Sequence, residues 1–190
     1  MDFGEKIKLG ILQYMKWNLI VASITLFFGA LNLMKFFFDI YYYSAQSYNS
    51  RGWSKYESKD YSGAIEDYDK AIELDSNFAG AYLNRGVSKY NLKDTSGALI
   101  DWNKAIKLDS NFALAYNNIG WSKYESKDYS GAIDDYDKAI ELDSNYVTAY
   151  TKRGTAKWYL KDKKGACEDW KIAAGMGSTP SQNNLRDYCN

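Results

Sequence analysis

The sequence predicts an all-α protein: an α-solenoid of four helix-turn-helix repeats plus a C-terminal capping helix, preceded by a single transmembrane helix. Three observations carry this expectation. Marker residues return every 34 positions over about three quarters of the chain, proline occurs once in 190 residues (Pro180), and one long uncharged run stands near the N-terminus. Scarce proline and regular spacing suit helices joined by short turns.

The N-terminal run comes first. Trp17 to Met34 contains 18 residues without a charge. A helix of that length rises about 27 Å, close to the ~30 Å hydrocarbon core of a bilayer. Trp17 at one end and Tyr41, Tyr42 and Tyr43 at the other fit interfacial aromatic belts. The reading is therefore an amphipathic lead-in over 1–16, with Ile7, Ile11, Leu12 and Met15 on one side, then a membrane-spanning helix over 17–40. A cleaved leader would need small residues at −3 and −1 of the cut. Cutting after Gly29 or Ala30 leaves Phe27 or Phe28 at −3, and cutting after Ala45 leaves Tyr43 there. Lys6, Lys8 and Lys16 precede the run, so the expected location is single-pass in a membrane, N-terminus cytoplasmic and repeats on the opposite side.

The remainder is periodic. Gly52, Gly86, Gly120 and Gly154 are 34 apart, as are Ala64, Ala98, Ala132 and Ala166. Ala71, Ala105, Ala139 and Ala173 keep the step, and so do the large aromatics Tyr68, Trp102, Tyr136 and Trp170. Within each unit two helical patterns meet around a Lys-Asp pair. The second helix carries an i, i+3, i+4, i+7 apolar stripe at Ala64, Ile65, Tyr68, Ala71 and Ile72. One such pair cannot bury its stripe alone, so the units must stack. Residues 51–77 and 119–145 differ only at Arg51/Ile119 and Glu66/Asp134, the mark of an internal duplication. The segment after residue 180 reads as the capping helix, 181–190, with Thr179 as its cap and Pro180 at its first position.

A 34-residue period with this pattern resembles the tetratricopeptide-repeat (TPR) family. In that family's phase the repeats over 45–180 are 45–78, 79–112, 113–146 and 147–180. The turn proline usual after the aspartate is replaced by Ser76, Ser110 and Ser144. The resemblance implies partner binding on a concave face lined by the first helix of each repeat. The implied groove residues are Asn49, Trp53, Tyr56, Leu83, Val87, Tyr90, Asn117, Trp121, Tyr124, Thr155 and Trp158. The alternative for Tyr56, Tyr90, Tyr124 and Trp158 is packing between helices. Some TPR co-chaperones grip a C-terminal carboxylate with a Lys, Asn, Asn, Lys, Arg clamp. Here only Asn84 matches from repeat one. From repeat two Asn118 matches and Lys152 keeps only the charge, so aromatic contacts are expected instead.

Composition bears on chemistry. Histidine is absent, which removes the commonest general base and metal ligand. Lysine plus arginine balance aspartate plus glutamate, 24 against 24, so no field favours nucleic acid. No phosphate loop, nucleophile triad or metal motif is visible. Neither an enzyme nor a cofactor protein is expected. The expected function is a membrane-anchored interaction module for a protein or peptide partner, acting in scaffolding, recruitment or assembly. The alternative is a permanent accessory subunit of a larger membrane complex. The acids Glu66, Asp67, Asp69 and Glu73, repeated at Asp134, Asp135, Asp137 and Glu141, read as a solvated convex face. Cys167 lies on a second helix and Cys189 in the cap expected nearby. A disulfide in an oxidising compartment and a pair of buried thiols both remain open.

Overall fold

A computed structural model describes residues 15, 16, 31–33, 35 and 44–189 of the chain. The chain divides into two units, Met1–Ser44 and Ala45–Asn190. The second consists of α1 (residues 45–57), α2 (Tyr61–Leu74), α3 (Ala79–Asn91), α4 (Thr95–Leu108), α5 (Ala113–Glu125), α6 (Tyr129–Leu142), α7 (Val147–Tyr159), α8 (Lys163–Gly175) and α9 (Thr179–Tyr188). Each helix packs on the next in chain order, and the first helices α5 and α7 also touch. No strand occurs among the described residues.

The single-pass membrane location requires correction. Among the described residues no helix is long and apolar enough to cross a membrane. Helices α2 to α9 hold 10–14 residues. They therefore rise only about 15–21 Å against a ~30 Å core. The stretch 17–40 that carried the expectation lies outside the described residues except for 31–33 and 35. The 1–16 lead-in does so except for 15 and 16.

The turn inside each repeat is built from the Lys-Asp pair. Lys59, Lys93, Lys127 and Lys161 all adopt a left-handed backbone, φ 66 to 70°. In repeat one the Lys59 N–H donates to Tyr56 O at 2.9 Å and the Asp60 N–H to Lys55 O at 2.9 Å. These two bonds satisfy orphan carbonyls at the end of α1 in a Schellman motif, with lysine where glycine is usual. Asp60 then starts α2, its side chain accepting from the Gly63 N–H at 3.0 Å. Asp94, Asp128 and Asp162 do the same for α4, α6 and α8. A Cβ on Gly63 would stand 2.2 Å from the Asp60 carboxylate, so the cap requires a glycine.

Between the paired helices the 34-residue glycine meets the large aromatic. A Cβ on Gly86 would lie 2.6 Å from the Trp102 indole nitrogen, and one on Gly120 2.9 Å from the Tyr136 ring. Those rings are buried together with the alanines Ala98, Ala105, Ala132 and Ala139. The cap begins one residue away from its expected start. Ser178, not Thr179, caps α9, accepting from the Ser181 N–H at 3.3 Å, and Pro180 falls within the first turn, where a missing donor is tolerated. Cys167 and Cys189 are joined as a disulfide, tying α8 to the end of α9.

The acidic second helices also require correction. Asp67, Asp101 and Asp169 are 1–2% exposed and face the first helix of their own repeat. Arg85 forks to both Asp101 oxygens at 2.9 and 2.6 Å and reaches Asp69 of the preceding repeat at 2.6 Å. Arg153 repeats this with Asp169 and Asp137. Lys55, Lys89 and Lys157 add a second cation to each buried carboxylate. Repeat three breaks the ladder. Ile119 replaces the arginine, Asn103 stands where Asp69 and Asp137 stand elsewhere, and Asp135 keeps only Lys123 at 2.7 Å. Burial pushes the Asp135 carboxyl above its ordinary range, whereas the Arg51 guanidinium holds Asp67 below it. Glu66, Glu73, Asp134 and Glu141 are exposed as expected of a solvated face.

Two outcomes follow. Lys127→Val should lower stability by about 1 kcal/mol or more, because a β-branched residue resists the left-handed turn, while Lys127→Gly should not. Urea unfolding monitored by circular dichroism measures both. Arg85→Ile should cost about 2 kcal/mol in the same assay, since it removes bonds to a carboxylate that Lys89 alone must then balance.

Candidate interaction face

The first helices place their sequence-predicted residues in three different settings. Trp53 is exposed, 44% of its surface open, with its ring stacked on Tyr56 at 5.2 Å and 26°. Tyr56 in turn meets Tyr61 at 5.5 Å. The duplicated set is built alike: Trp121 stacks on Tyr124 at 5.3 Å and 16°, and Tyr124 meets Tyr129 at 5.4 Å. Its surroundings differ. Lys152 holds its ammonium 4.5 Å from the Trp121 ring centre, and Tyr159 stacks on Tyr129 at 4.9 Å.

A second group faces solvent only in part because it packs between helices. The Tyr90 ring lies 5.6 Å from Trp102, and its hydroxyl donates to Glu125 of the next repeat. Trp158 sits between Trp170 at 5.8 Å and Tyr188 of the cap at 4.8 Å. Val87 packs on the cluster around Leu83, Trp102 and Ile119. Asn49 is half-buried and accepts from the Asn84 amide at 3.1 Å. The Thr155 hydroxyl donates to Thr151 O at 2.9 Å.

Two expected groove residues are not at the surface. Leu83 is 5% exposed and Asn117 is 3% exposed. Both fall one turn before the tryptophan position, where the helix side has rotated toward the neighbouring repeat. They contribute packing and offer nothing to a partner. Sequence reasoning passed over Lys152 as a groove residue, treating it only as a mismatched clamp position. The signal was present: Lys152 lies 31 residues after Trp121, as Asn84 lies 31 after Trp53.

Electrostatically the face is mixed. Burial pushes the Lys152 ammonium down to about 8, with Glu125 pulling the other way. Burial also raises Tyr90, helped by Glu125, and takes Tyr124 up to about 12, so both phenols are protonated near neutrality. No group of three or more His, Cys, Asp or Glu able to hold a metal occurs among the described residues. The arrangement offers aromatic surface, amide and hydroxyl groups and one half-buried cation. That is recognition chemistry, an interaction module by class.

Two stretches of the array match tetratricopeptide repeats. Family models described as TPR repeat and Tetratricopeptide repeat match residues 52–93 and 113–146. No curated protein matches the chain. Among solved structures, the crystal structure of MamA is similar with TM-score 0.65 and 22% identity, over 76% of this chain and 82% of that one. Pseudomonas aeruginosa pilF is similar with TM-score 0.69 and 21% identity, over 77% and 69%. The first TPR of Spaghetti (RPAP3), bound to the HSP90 peptide SRMEEVD, gives TM-score 0.59 and 24% identity, over 62% and 94%. At these identities the likeness is one of fold. TPR proteins are in general interaction modules rather than enzymes.

The Lys152 amine gives a direct check. Its folded value lies below the ordinary 10.5, so the charged form opposes folding, and stability should rise as pH climbs from about 8 toward 10.5. Nitrogen-15 NMR of the Lys152 amine should show a midpoint near 8, moving lower in Glu125→Gln because that charge holds the proton. A midpoint at the ordinary lysine value would contradict this burial.

Proposed function

We propose that the array recruits a partner protein by holding an extended segment of it along the first-helix face. The single observation that carries this reading is the large aromatic surface left open on the first helices, Trp53 at 44% and Tyr159 at 51% exposed. Burying such a ring against a partner supplies apolar area and shape in one residue, the usual chemistry of an interaction hot spot. The neighbouring TPR that holds an HSP90 peptide supports the same use of the fold. The clamp residues for a C-terminal carboxylate are mostly replaced here, so the contacts proposed are aromatic. Recruitment or scaffolding of the bound partner is the role this assigns.

Crosslinking of the full chain in its native extract, affinity purification and mass spectrometry would identify the partner. Trp53→Ala should then weaken its capture by roughly tenfold or more, at about 1.4 kcal/mol per tenfold, with helicity unchanged. Glu66→Lys, on the opposite helix of the same repeat, should leave capture intact. Loss of capture in Glu66→Lys with Trp53→Ala harmless would move the binding site to the second helices.

A further inference from the structure

The chain contains one constellation twice and fills it only once. In repeats one and three the first helix carries Trp-Ser-Lys-Tyr-Glu, followed by a tyrosine at the start of the second helix: Trp53, Tyr56, Glu57, Tyr61 and Trp121, Tyr124, Glu125, Tyr129. The rings adopt the same arrangement in both, with tryptophan stacked on tyrosine at 5.2 and 5.3 Å. In repeat three the other face of the indole is taken by the Lys152 ammonium at 4.5 Å, and Glu125 is the charge that attracts it. An aromatic face and a carboxylate one helical turn along therefore hold an ammonium in this protein, with burial of Lys152 opposing its charge and Glu125 favouring it.

In repeat one the seat is empty of any such group among the described residues. The position equivalent to Lys152 is Asn84, whose amide is turned to Asn49 at 3.1 Å. Trp53 remains 44% exposed, and Glu57 is exposed with no ion pair among the described residues. Identical residues build both seats, and their surroundings differ: Asn84 stands where Lys152 does, Asn91 where Tyr159 does, and Glu125 but not Glu57 accepts from a tyrosine of the preceding repeat.

We infer that the Trp53–Glu57 seat takes a lysine or arginine side chain of the partner segment, in the position that Lys152 occupies over Trp121. This rests on the reading that the first-helix face holds a partner, and it gives that partner a chemistry: a basic side chain flanked by residues that can lie along the aromatic face. The carboxylate supplies charge complementarity, and the open indole of Trp53 supplies a π face for a cation without the burial that opposes the charge of Lys152. An acidic segment, by contrast, would place its charge against Glu57.

The test uses the full chain with nitrogen-15 tryptophan, titrated with octapeptides of alternating alanine–lysine, alanine–arginine, alanine–glutamate and alanine–glutamine. The Trp53 indole N–H signal should move with the two basic peptides and stay with the other two. Trp53→Ala and Glu57→Gln should each weaken the basic peptide roughly fivefold or more. Asn84→Lys should weaken it similarly by seating an internal ammonium, without removing any atom of the seat. Lys152→Asn should open the second seat, so that the Trp121 indole also responds and the stoichiometry rises from one to two. A Trp53 signal that moves equally with the acidic or neutral peptide would overturn the cation seat. So would an affinity unaffected by Asn84→Lys. If partner capture depends on Trp53 but the basic peptides leave its indole unmoved, the seat is refuted and the interaction face stands. If capture ignores Trp53, the face itself is refuted.

Discussion

The structure depends on the close approach of each first helix to its second. Glycine at 52, 86, 120 and 154 lets the ring of Tyr68, Trp102, Tyr136 or Trp170 come where a Cβ would stand. The ring fills the space within the repeat, and the fully buried alanines close the remaining gaps. Of the first-helix aromatics, Tyr90 and Trp158 pack against those rings, whereas Trp53 is left open.

Upon that packing sits an ionic ladder that is mostly internal. Arg85 and Arg153 each join the carboxylate of their own repeat to that of the preceding one, so they act as rivets between repeats one and two and between three and four. The joint between repeats two and three has no such rivet. There Ile119 joins the apolar cluster with Leu83 and Trp102, and the facing position is Asn103. The change is matched on both sides: an arginine lost where a carboxylate is lost. An uncompensated aspartate at 103 would have cost more than the missing pair contributes.

The duplication shows how far a residue's role is set by its neighbours. Trp53 and Trp121 lie in nearly identical stretches and stack on their tyrosines in the same way. Trp53 is open, whereas Trp121 is half-buried with Lys152 over its ring where repeat one has Asn84. Tyr90 and Trp158 show the same lesson from the packing side. Each occupies a groove register, yet Tyr90 is engaged by Trp102 and Glu125, and Trp158 by Trp170 and the cap residue Tyr188.

The 34-residue recurrence of small and large apolar residues determined the helical pairs, their stacking and the side of each helix that is buried, because local periodicity and steric size are properties of the chain itself. Left-handed lysines at 59, 93, 127 and 161 were invisible there, since only the completed pair of hydrogen bonds compensates for a backbone that lysine does not favour. The inward turn of Asp67, Asp101 and Asp169 was hidden for a related reason: a carboxylate on a helix reads as solvated until a guanidinium from another helix meets it. Tertiary structure alone decided that Leu83 and Asn117 are buried, that Trp53 is open, and that Lys152 covers its twin. Helical spacing fixes which residues share a side of one helix, whereas exposure depends on which side chain the next repeat brings across it.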